Sequence, residues 1–120
     1  MKHLLKLEQA AQLLFCIAVL WWLPETFSWW ICLLLFFAPD LGMIGYLAGN
    51  RMGAWLYNFT HHKMVCLTVI ALGYLLSANW LLVTGILFYA HACFDRLAGY
   101  GLKYEQGFAY THLGVIGKKV

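Results

Sequence analysis

The chain has 120 residues, of which 63% are hydrophobic and only 11% are charged, and its mean hydropathy is +0.73. This composition excludes an ordinary soluble domain of this size, which would lack the polar surface to cover itself. The net charge of +3 is small and its basic residues are scattered through polar connections, which argues against a nucleic-acid partner. Because the apolar runs are continuous, and a bilayer requires every backbone polar group to be paired internally, we predict an all-α membrane protein.

Four apolar runs predict an integral membrane four-helix bundle, with residues 1–120 forming a single transmembrane domain. The spans lie at about 10–23, 27–46, 63–76 and 80–94. A crossing takes about 20 helical residues, so a chain of this length holds at most four. Pro39 lacks a backbone donor and should kink or end the second helix. Asp40 is then placed to cap a short helix over residues 41–48, and the third helix could begin as early as Arg51, with Asn50 as its cap.

The basic residues predict the orientation of the bundle. All eight Lys and Arg residues fall at the amino terminus, in the middle connection or in the tail, whereas residues 23–28 and 77–79 carry none. Lys and Arg favour the cytoplasmic side, so both termini are predicted to be cytoplasmic. The glycine-rich tail, residues 96–120, is expected to be irregular or to lie on the membrane surface. An aromatic belt at the opposite interface comprises Trp21, Trp22, Trp29, Trp30 and Trp80.

Five ionisable side chains recur at one predicted depth in this apolar chain: Asp40, His61, His62, His91 and Asp95. Counted at 1.5 Å per residue from outer turns at Glu25 and Ala78, they lie roughly 20 to 26 Å inward. That level is just inside the cytoplasmic boundary of a hydrocarbon core about 30 Å thick. Ionisable groups are costly in lipid, so these are expected to have specific partners.

Helical spacing allows these side chains to form one pocket. His91 and Asp95 are four residues apart and share a helix face. On a helix that continues from Arg51, Asn58 shares a face with both His61 and His62, and Tyr57 shares one with His61. Imidazole and carboxylate groups suit a divalent ion such as Zn²⁺. We therefore predict a metal site formed by Asp40, His61, His91 and Asp95, over which His112 of the tail could fold as a lid.

Plainer interpretations exist for most of these positions. Asp40 follows a proline and could serve only as a helix cap. Asp95 and Arg96 could form an ion pair at the membrane interface, and the adjacent histidines 61 and 62 could be solvated loop residues. His91, inside an apolar run, is the hardest to explain without a specific polar partner.

Three glycines, Gly45, Gly49 and Gly53, recur at intervals of four residues. A face of small residues lets helices approach each other closely. This face would serve a homodimer, or it would let the short helix after Pro39 pack on its own bundle. The sequence leaves both possibilities open.

Four segments resemble a family of short bacterial integral membrane proteins known only as a domain of unknown function. They are FAPDLGMIGYLAG (37–49), GAWLYNFTH (53–61), HACFDRLAGYGLKY (91–104) and THLGVIG (111–117). The resemblance implies a four-helix protein of the bacterial inner membrane and supplies no established activity, substrate or cofactor. It also implies that His61, and not His62, is the histidine of the site. Members of the family are expected to carry an acidic residue where this chain has Tyr110. The polar signature that it marks comprises Asp40, Tyr57, Asn58, His61, His91, Asp95, Arg96, Tyr104, Thr111 and His112.

These observations support three functions. The leading one is a divalent-metal-dependent membrane hydrolase that acts on a lipid or a lipid-linked substrate. The second is a haem protein in which His61 and His91 ligate the iron from neighbouring helices. The third is a structural or assembly role as a homo-oligomer through the glycine face. Transport is disfavoured, because the ionisable residues lie at one end of the spans and not at the midplane.

Overall fold

The computed structural model describes residues 1–24 and 27–117 and is all-α apart from a short hairpin in the tail. The helices are α1 (Lys2–Trp22), α2 (Trp29–Phe37), α3 (Asn50–His61), α4 (Lys63–Leu75) and α5 (Asn79–Ala98), and a 3₁₀ helix (Ala38–Ala48) joins α2 to α3. The antiparallel strands β1 (Tyr110–Thr111) and β2 (Gly114–Val115) form the hairpin. The predicted all-α class is confirmed.

Three stretches of the described chain are long and apolar enough to cross a membrane, namely Lys2–Trp22, Trp29–Ala48 and Asn79–Ala98. The fourth apolar helix, α4, has 13 residues and rises only about 20 Å, less than the roughly 30 Å of a hydrocarbon core. The fourth crossing and the cytoplasmic placement of both termini therefore stay predictions. Glu25, from which the depth of Asp40 was counted, lies outside the described residues, as do Lys118 and Lys119.

Helix α5 is the centre of the bundle and packs against α1, α2 and α4. Its buried residues include Val83, Leu87 and Cys93. Glycine lets α4 come close, because a Cβ atom on Gly73 would lie 2.4 Å from the backbone nitrogen of Leu82. This central position makes α5 the element on which a polar site can be built inside the protein.

Pro39 ends α2 after Phe37, as predicted, and the segment that follows is a 3₁₀ helix. This helix begins at Ala38, because a proline in the first turn loses no backbone hydrogen bond. Asp40 therefore lies inside the helix, and the prediction that it caps a helix beginning at residue 41 is wrong. Its carboxylate faces two histidines instead.

A continuous helix from Arg51 through His62 does not form. His62 has an extended backbone, with φ −82° and ψ 121°, and separates α3 from α4. Its ring Nδ1 accepts a hydrogen bond from the Met64 backbone at 3.2 Å, so His62 caps α4. Asn50 is itself the first residue of α3, after Gly49, and is not the predicted cap.

The glycine face is used inside this chain. A Cβ atom on Gly45 would lie 2.9 Å from the Met52 carbonyl oxygen, and one on Gly53 would lie 2.3 Å from the Tyr46 ring. Gly49, with φ +120°, makes the turn between the 3₁₀ helix and α3. The glycines thus let the 3₁₀ helix pack on α3. Because this face is occupied within the chain, it does not support the predicted homo-oligomer.

The first part of the tail is irregular, as expected, with one isolated bridge at Lys103, and it is bound along α3. The Asn58 side chain donates to the Lys103 carbonyl at 2.8 Å and accepts from the Lys103 backbone N–H at 2.6 Å. The Trp55 indole donates to the Glu105 carboxylate at 2.7 Å. These contacts carry Lys103 into the interior, where it is 4% exposed.

Candidate metal site

Four potential ligand atoms from three helical elements converge beside α5. They are Asp40 Oδ1, His61 Nε2, His91 Nε2 and Asp95 Oδ2, and all lie within 4.8 Å of one another. His61 Nε2 is 3.3 Å from Asp40 Oδ1 and 3.1 Å from Asp95 Oδ2. His91 Nε2 is 3.1 Å and 3.5 Å from the same two oxygens. The two Nε2 atoms are 3.1 Å apart.

These separations match the size of one small divalent ion. Atoms held about 2.0–2.2 Å from a single Zn²⁺ at tetrahedral angles are about 3.3–3.6 Å from one another. Five of the six separations in the cluster are between 3.1 and 3.5 Å. The two carboxylate oxygens form the sixth pair and lie within 4.8 Å of each other. The residues present, two imidazoles and two carboxylates, therefore fit such an ion in chemistry and in five of their six separations.

Local structure explains how the four side chains meet. Asp40 comes from the 3₁₀ helix after Pro39, and His61 is the last residue of α3, where the chain turns at His62. His91 and Asp95 are one turn apart on α5. The two histidines are 2% and 1% exposed, whereas the Asp40 side chain is 38% exposed. The site therefore meets its surroundings at Asp40.

Hydrogen bonds fix the orientation of the His61 ring. Its Nδ1 lies 2.8 Å from the Tyr57 carbonyl oxygen and 3.0 Å from the Thr60 hydroxyl. A carbonyl oxygen only accepts, so Nδ1 carries a proton, and in the neutral ring the Nε2 lone pair faces the cluster. The Thr60 hydroxyl donates to the Pro39 carbonyl at 2.9 Å. Thr60, which the sequence analysis missed, thus ties the end of α3 to the segment that carries Asp40.

Tyr57 supports the site from the side of α3. Its hydroxyl donates to Asp95 Oδ2 at 2.9 Å, and its ring stacks on His61 with the centroids 3.8 Å apart. Burial, followed by the neighbouring Asp95 carboxylate, raises the pKa of Tyr57, so the phenol stays a donor. The Lys103 ammonium lies 4.8 Å from the centroid of the same ring. Sequence reasoning treated Lys103 only as a cytoplasmic charge.

His91 is held by polar contacts at Nε2, which lies 3.1 Å from Asp40 Oδ1, and by aromatic packing on the rest of its ring. Its Nδ1 has no hydrogen-bond partner within residues 1–24 and 27–117. Its ring centroid lies 5.3 Å from that of Phe36 and 6.2 Å from that of Phe37, both in edge-on arrangements. These phenylalanines belong to an apolar run that gave no sequence signal for a role at the site.

Of the other predicted residues, Arg96 contacts the backbone of a ligand residue, whereas those of the tail make their contacts within the tail. Arg96 donates to the carbonyls of His61 and Ala92 at 3.4 and 3.2 Å, and not to Asp95. Tyr104 is exposed, and Thr111 donates to the Gly114 carbonyl within the hairpin. His112 accepts from the Leu102 backbone N–H at 2.8 Å, and this contact does not place it as a lid over the ligands.

The haem alternative does not fit this arrangement. Two axial histidines must lie on opposite faces of a porphyrin. The Nε2 atoms of His61 and His91 are 3.1 Å apart and both face the carboxylates. No macrocycle can lie between them.

Comparison with known proteins identifies the family. The model of a family described as a domain of unknown function, DUF4260, matches residues 2–116. No curated protein and no solved structure matched the chain. The chain therefore belongs to the DUF4260 family, and the resemblance inferred from the four sequence segments is confirmed.

Proposed function

We propose that this member of the DUF4260 family is a membrane protein that binds one divalent ion of the Zn²⁺ class. The ligands are Asp40, His61, His91 and Asp95. The observation that carries the proposal is the convergence of their four ligand atoms, of whose six separations five are between 3.1 and 3.5 Å. Carboxylate oxygens and ring nitrogens this close repel each other unless a cation or protons lie between them. Because His61 Nδ1 donates to the Tyr57 carbonyl, the neutral His61 ring offers the Nε2 lone pair to a cation.

We further propose that the bound ion supports the hydrolysis of a lipid or lipid-linked substrate. A Zn²⁺-class ion lowers the pKa of a bound water to near neutrality and supplies hydroxide at ordinary pH. Asp40 is the exposed ligand, so a substrate would approach the centre past its carboxylate. Three of the four ligands lie on two stretches that are able to cross a membrane, Trp29–Ala48 and Asn79–Ala98, which favours a substrate that is itself anchored in lipid.

The burial of the two histidines favours a second candidate, a structural ion. Structural zinc sites are usually closed by four protein ligands, whereas catalytic sites keep one position for water. Here four protein ligands are available, and a bound ion would join the 3₁₀ helix and α3 to α5. In that case, loss of the ion would lower thermal stability and no turnover would accompany binding.

The first test is the metal content of detergent-purified protein. We expect one ion per chain in the wild type, and loss of that ion in His91→Ala and in Asp40→Asn. The matched control is His62→Ala, because His62 is adjacent to a ligand and caps α4; it should keep the ion. Circular dichroism verifies folding, and Asp40→Asn, at a partly exposed position, provides a variant with little change in shape.

The outcomes separate the proposals. A wild-type protein that remains metal-free after incubation with Zn²⁺ would refute the metal centre. For hydrolysis, we expect turnover of fluorescent lipid esters or phosphodiesters that a chelator abolishes and added Zn²⁺ restores. Stoichiometric metal without turnover, together with a lower melting temperature after chelation, would favour the structural ion.

A further inference from the structure

A cavity of about 440 Å³ lies apart from the metal ligands, where the start of α1 meets the end of α5 and the tail. Its polar lining consists of five side chains, those of Lys2, Lys6, Gln9, Arg96 and His112. Within the described part of the chain, no acidic residue lines it. We refer to it as the donor cavity, because each of these five side chains has an N–H group available to a ligand.

Helix α1 supplies three of the five donors from one face. Lys2, Lys6 and Gln9 recur at helical spacing, so they lie along one side of α1. Neither lysine forms an ion pair within residues 1–24 and 27–117. The side-chain oxygen of Gln9 accepts a hydrogen bond from the Lys63 ammonium, so the amide N–H groups of Gln9 remain for a ligand. This face of α1 therefore offers two cations and one neutral donor.

Contacts with the backbone leave Arg96 and His112 with donors as well. Arg96 Nη1 donates to the carbonyls of His61 and Ala92, and the other N–H groups of its guanidinium remain for a ligand. His112 Nδ1 accepts from the Leu102 backbone N–H at 2.8 Å. A neutral imidazole carries one ring proton, so the proton of His112 lies on Nε2 and can be donated to a ligand. The walls opposite α1 therefore also offer donors.

This lining matches an oxyanion that carries an organic group. Arginine and lysine are typical partners of phosphate oxygens, which accept several hydrogen bonds. Three cationic side chains match a phosphate monoester, with nearly two negative charges at neutral pH, better than a singly charged carboxylate. Leu5 and Leu113 add apolar walls. The volume is within the range of sites for small organic ligands, so the cavity has room for more than the phosphate.

We propose that the donor cavity binds a phosphate ester. Its phosphate oxygens accept hydrogen bonds from Lys2, Lys6 and Arg96, and its organic part lies against Leu5 and Leu113. A phosphorylated lipid and a soluble phosphate ester share this chemistry, and the experiment below distinguishes them. The site does not rest on the proposed metal centre, because none of the four metal ligands lines the cavity.

Native mass spectrometry of delipidated protein in a neutral detergent tests the proposal. The probes are dioctanoyl phosphatidate and dioctanoylglycerol, which differ only in the phosphate group. Each lysine beside an anionic group is expected to contribute about fivefold to affinity, so the wild type should prefer the phosphatidate by about thirtyfold or more. This preference should fall about fivefold in Lys6→Gln and about thirtyfold in Lys2→Gln/Lys6→Gln.

Two variants separate a built site from general attraction to a basic surface. Gln9→Met removes a donor from the cavity without changing the charge, and the loss of a hydrogen bond to a charged oxygen should lower the preference about tenfold. Arg51→Gln removes an exposed cation that lies 3.8 Å from Glu105 and does not line the cavity. It should keep the wild-type preference.

Competition with glycerol phosphate identifies the source of the phosphate. Displacement of the phosphatidate by millimolar glycerol phosphate would support the proposal with a soluble ester as the ligand, and resistance to displacement would support it with a phosphorylated lipid. Equal binding of the two probes to the wild type would overturn the proposal. An unchanged preference in the double lysine variant or in Gln9→Met would overturn it as well.

Discussion

Replacing Tyr57 by phenylalanine removes one hydroxyl from beside the proposed metal site and leaves the ring. The lost contact is the 2.9 Å hydrogen bond to Asp95 Oδ2, whereas the stacking of the ring on His61 can remain. A partner of this kind holds a ligand in its binding orientation, and its loss typically costs 10- to 100-fold in metal affinity. The Tyr57 hydroxyl donates to a charged acceptor, the Asp95 carboxylate, so the free energy of unfolding should fall by about 1.5–3 kcal/mol when it is removed.

Tyr46→Phe is the matched control for this change. The Tyr46 hydroxyl is also buried, but it has no hydrogen-bond partner among the described residues. Competition with a chromophoric chelator at pH 7 measures the Zn²⁺ affinity of the wild type and of both variants. We expect weaker binding in Tyr57→Phe and unchanged binding in Tyr46→Phe. Equal affinity in all three proteins would refute the role of Tyr57 in orienting Asp95.

Three further predictions concern the frame around the site. Gly73→Ala places a Cβ atom 2.4 Å from the backbone of α5, so thermal unfolding should show a loss of about 1–3 kcal/mol, whereas Ala71→Gly, at an exposed position, should cost at most about 1 kcal/mol. Asn58→Ala removes both hydrogen bonds to Lys103, so limited proteolysis should cut the tail faster than in the wild type, and an unchanged rate would contradict the docking of the tail. Burial and the nearby Arg96 lower the pKa of His112, and its neutral ring accepts a hydrogen bond from the Leu102 N–H. The undocked tail therefore binds more protons than the docked tail. Docking should be stable above the ordinary histidine pKa of about 6.5 and should weaken as the pH falls below it. The protection factor of the Leu102 amide, which is its exchange rate corrected for the intrinsic dependence on pH, should fall between pH 7 and pH 5 in the wild type and change less in His112→Asn.

The convergence of the ligands could be predicted because depth in a helix is a matter of counting. α5 is continuous from Asn79 to Ala98, so the distances of His91 and Asp95 from the turn at Ala78 follow directly from the rise per residue. The break at His62 changed the predicted depth of His61 little, because His62 is the only residue between His61 and the start of α4. The 3₁₀ helix likewise shifts Asp40 only slightly, since Asp40 is its third residue.

The parts that sequence reasoning missed depend on contacts that leave no periodic signal. Lys103 reaches the Tyr57 ring because its backbone pairs with an amide 45 residues earlier. The edge-on packing of Phe36 and Phe37 on His91 involves residues that any apolar run contains. Thr60 gave a stronger sequence signal than these residues, because a hydroxyl next to a histidine is a common hydrogen-bond partner for the second ring nitrogen.

The charge of the cluster gives the strongest argument for an ion over an internal ion pair. Two carboxylates contribute −2, which one divalent cation neutralises while both imidazoles stay neutral. Protons alone would achieve neutrality either with two imidazolium rings, whose Nε2 atoms 3.1 Å apart would each direct an N–H at the other, or with a protonated carboxyl group, which is uncommon at neutral pH. A single bridging proton would leave a net negative charge among groups that are mostly buried.

This charge count yields a prediction for the metal-free protein. Asp40 Oδ1 and Asp95 Oδ2 are at most 4.8 Å apart, so their repulsion is about 3 kcal/mol at an effective dielectric constant of 20, and less because Asp40 is partly exposed. Chelation should therefore lower the melting temperature of the wild type. Asp40→Asn should bind no ion, yet melt above the chelated wild type, because one of the two negative charges is gone. If chelation leaves the wild-type melting temperature unchanged, or if Asp40→Asn melts below the chelated wild type, the two carboxylates are not held together by a cation.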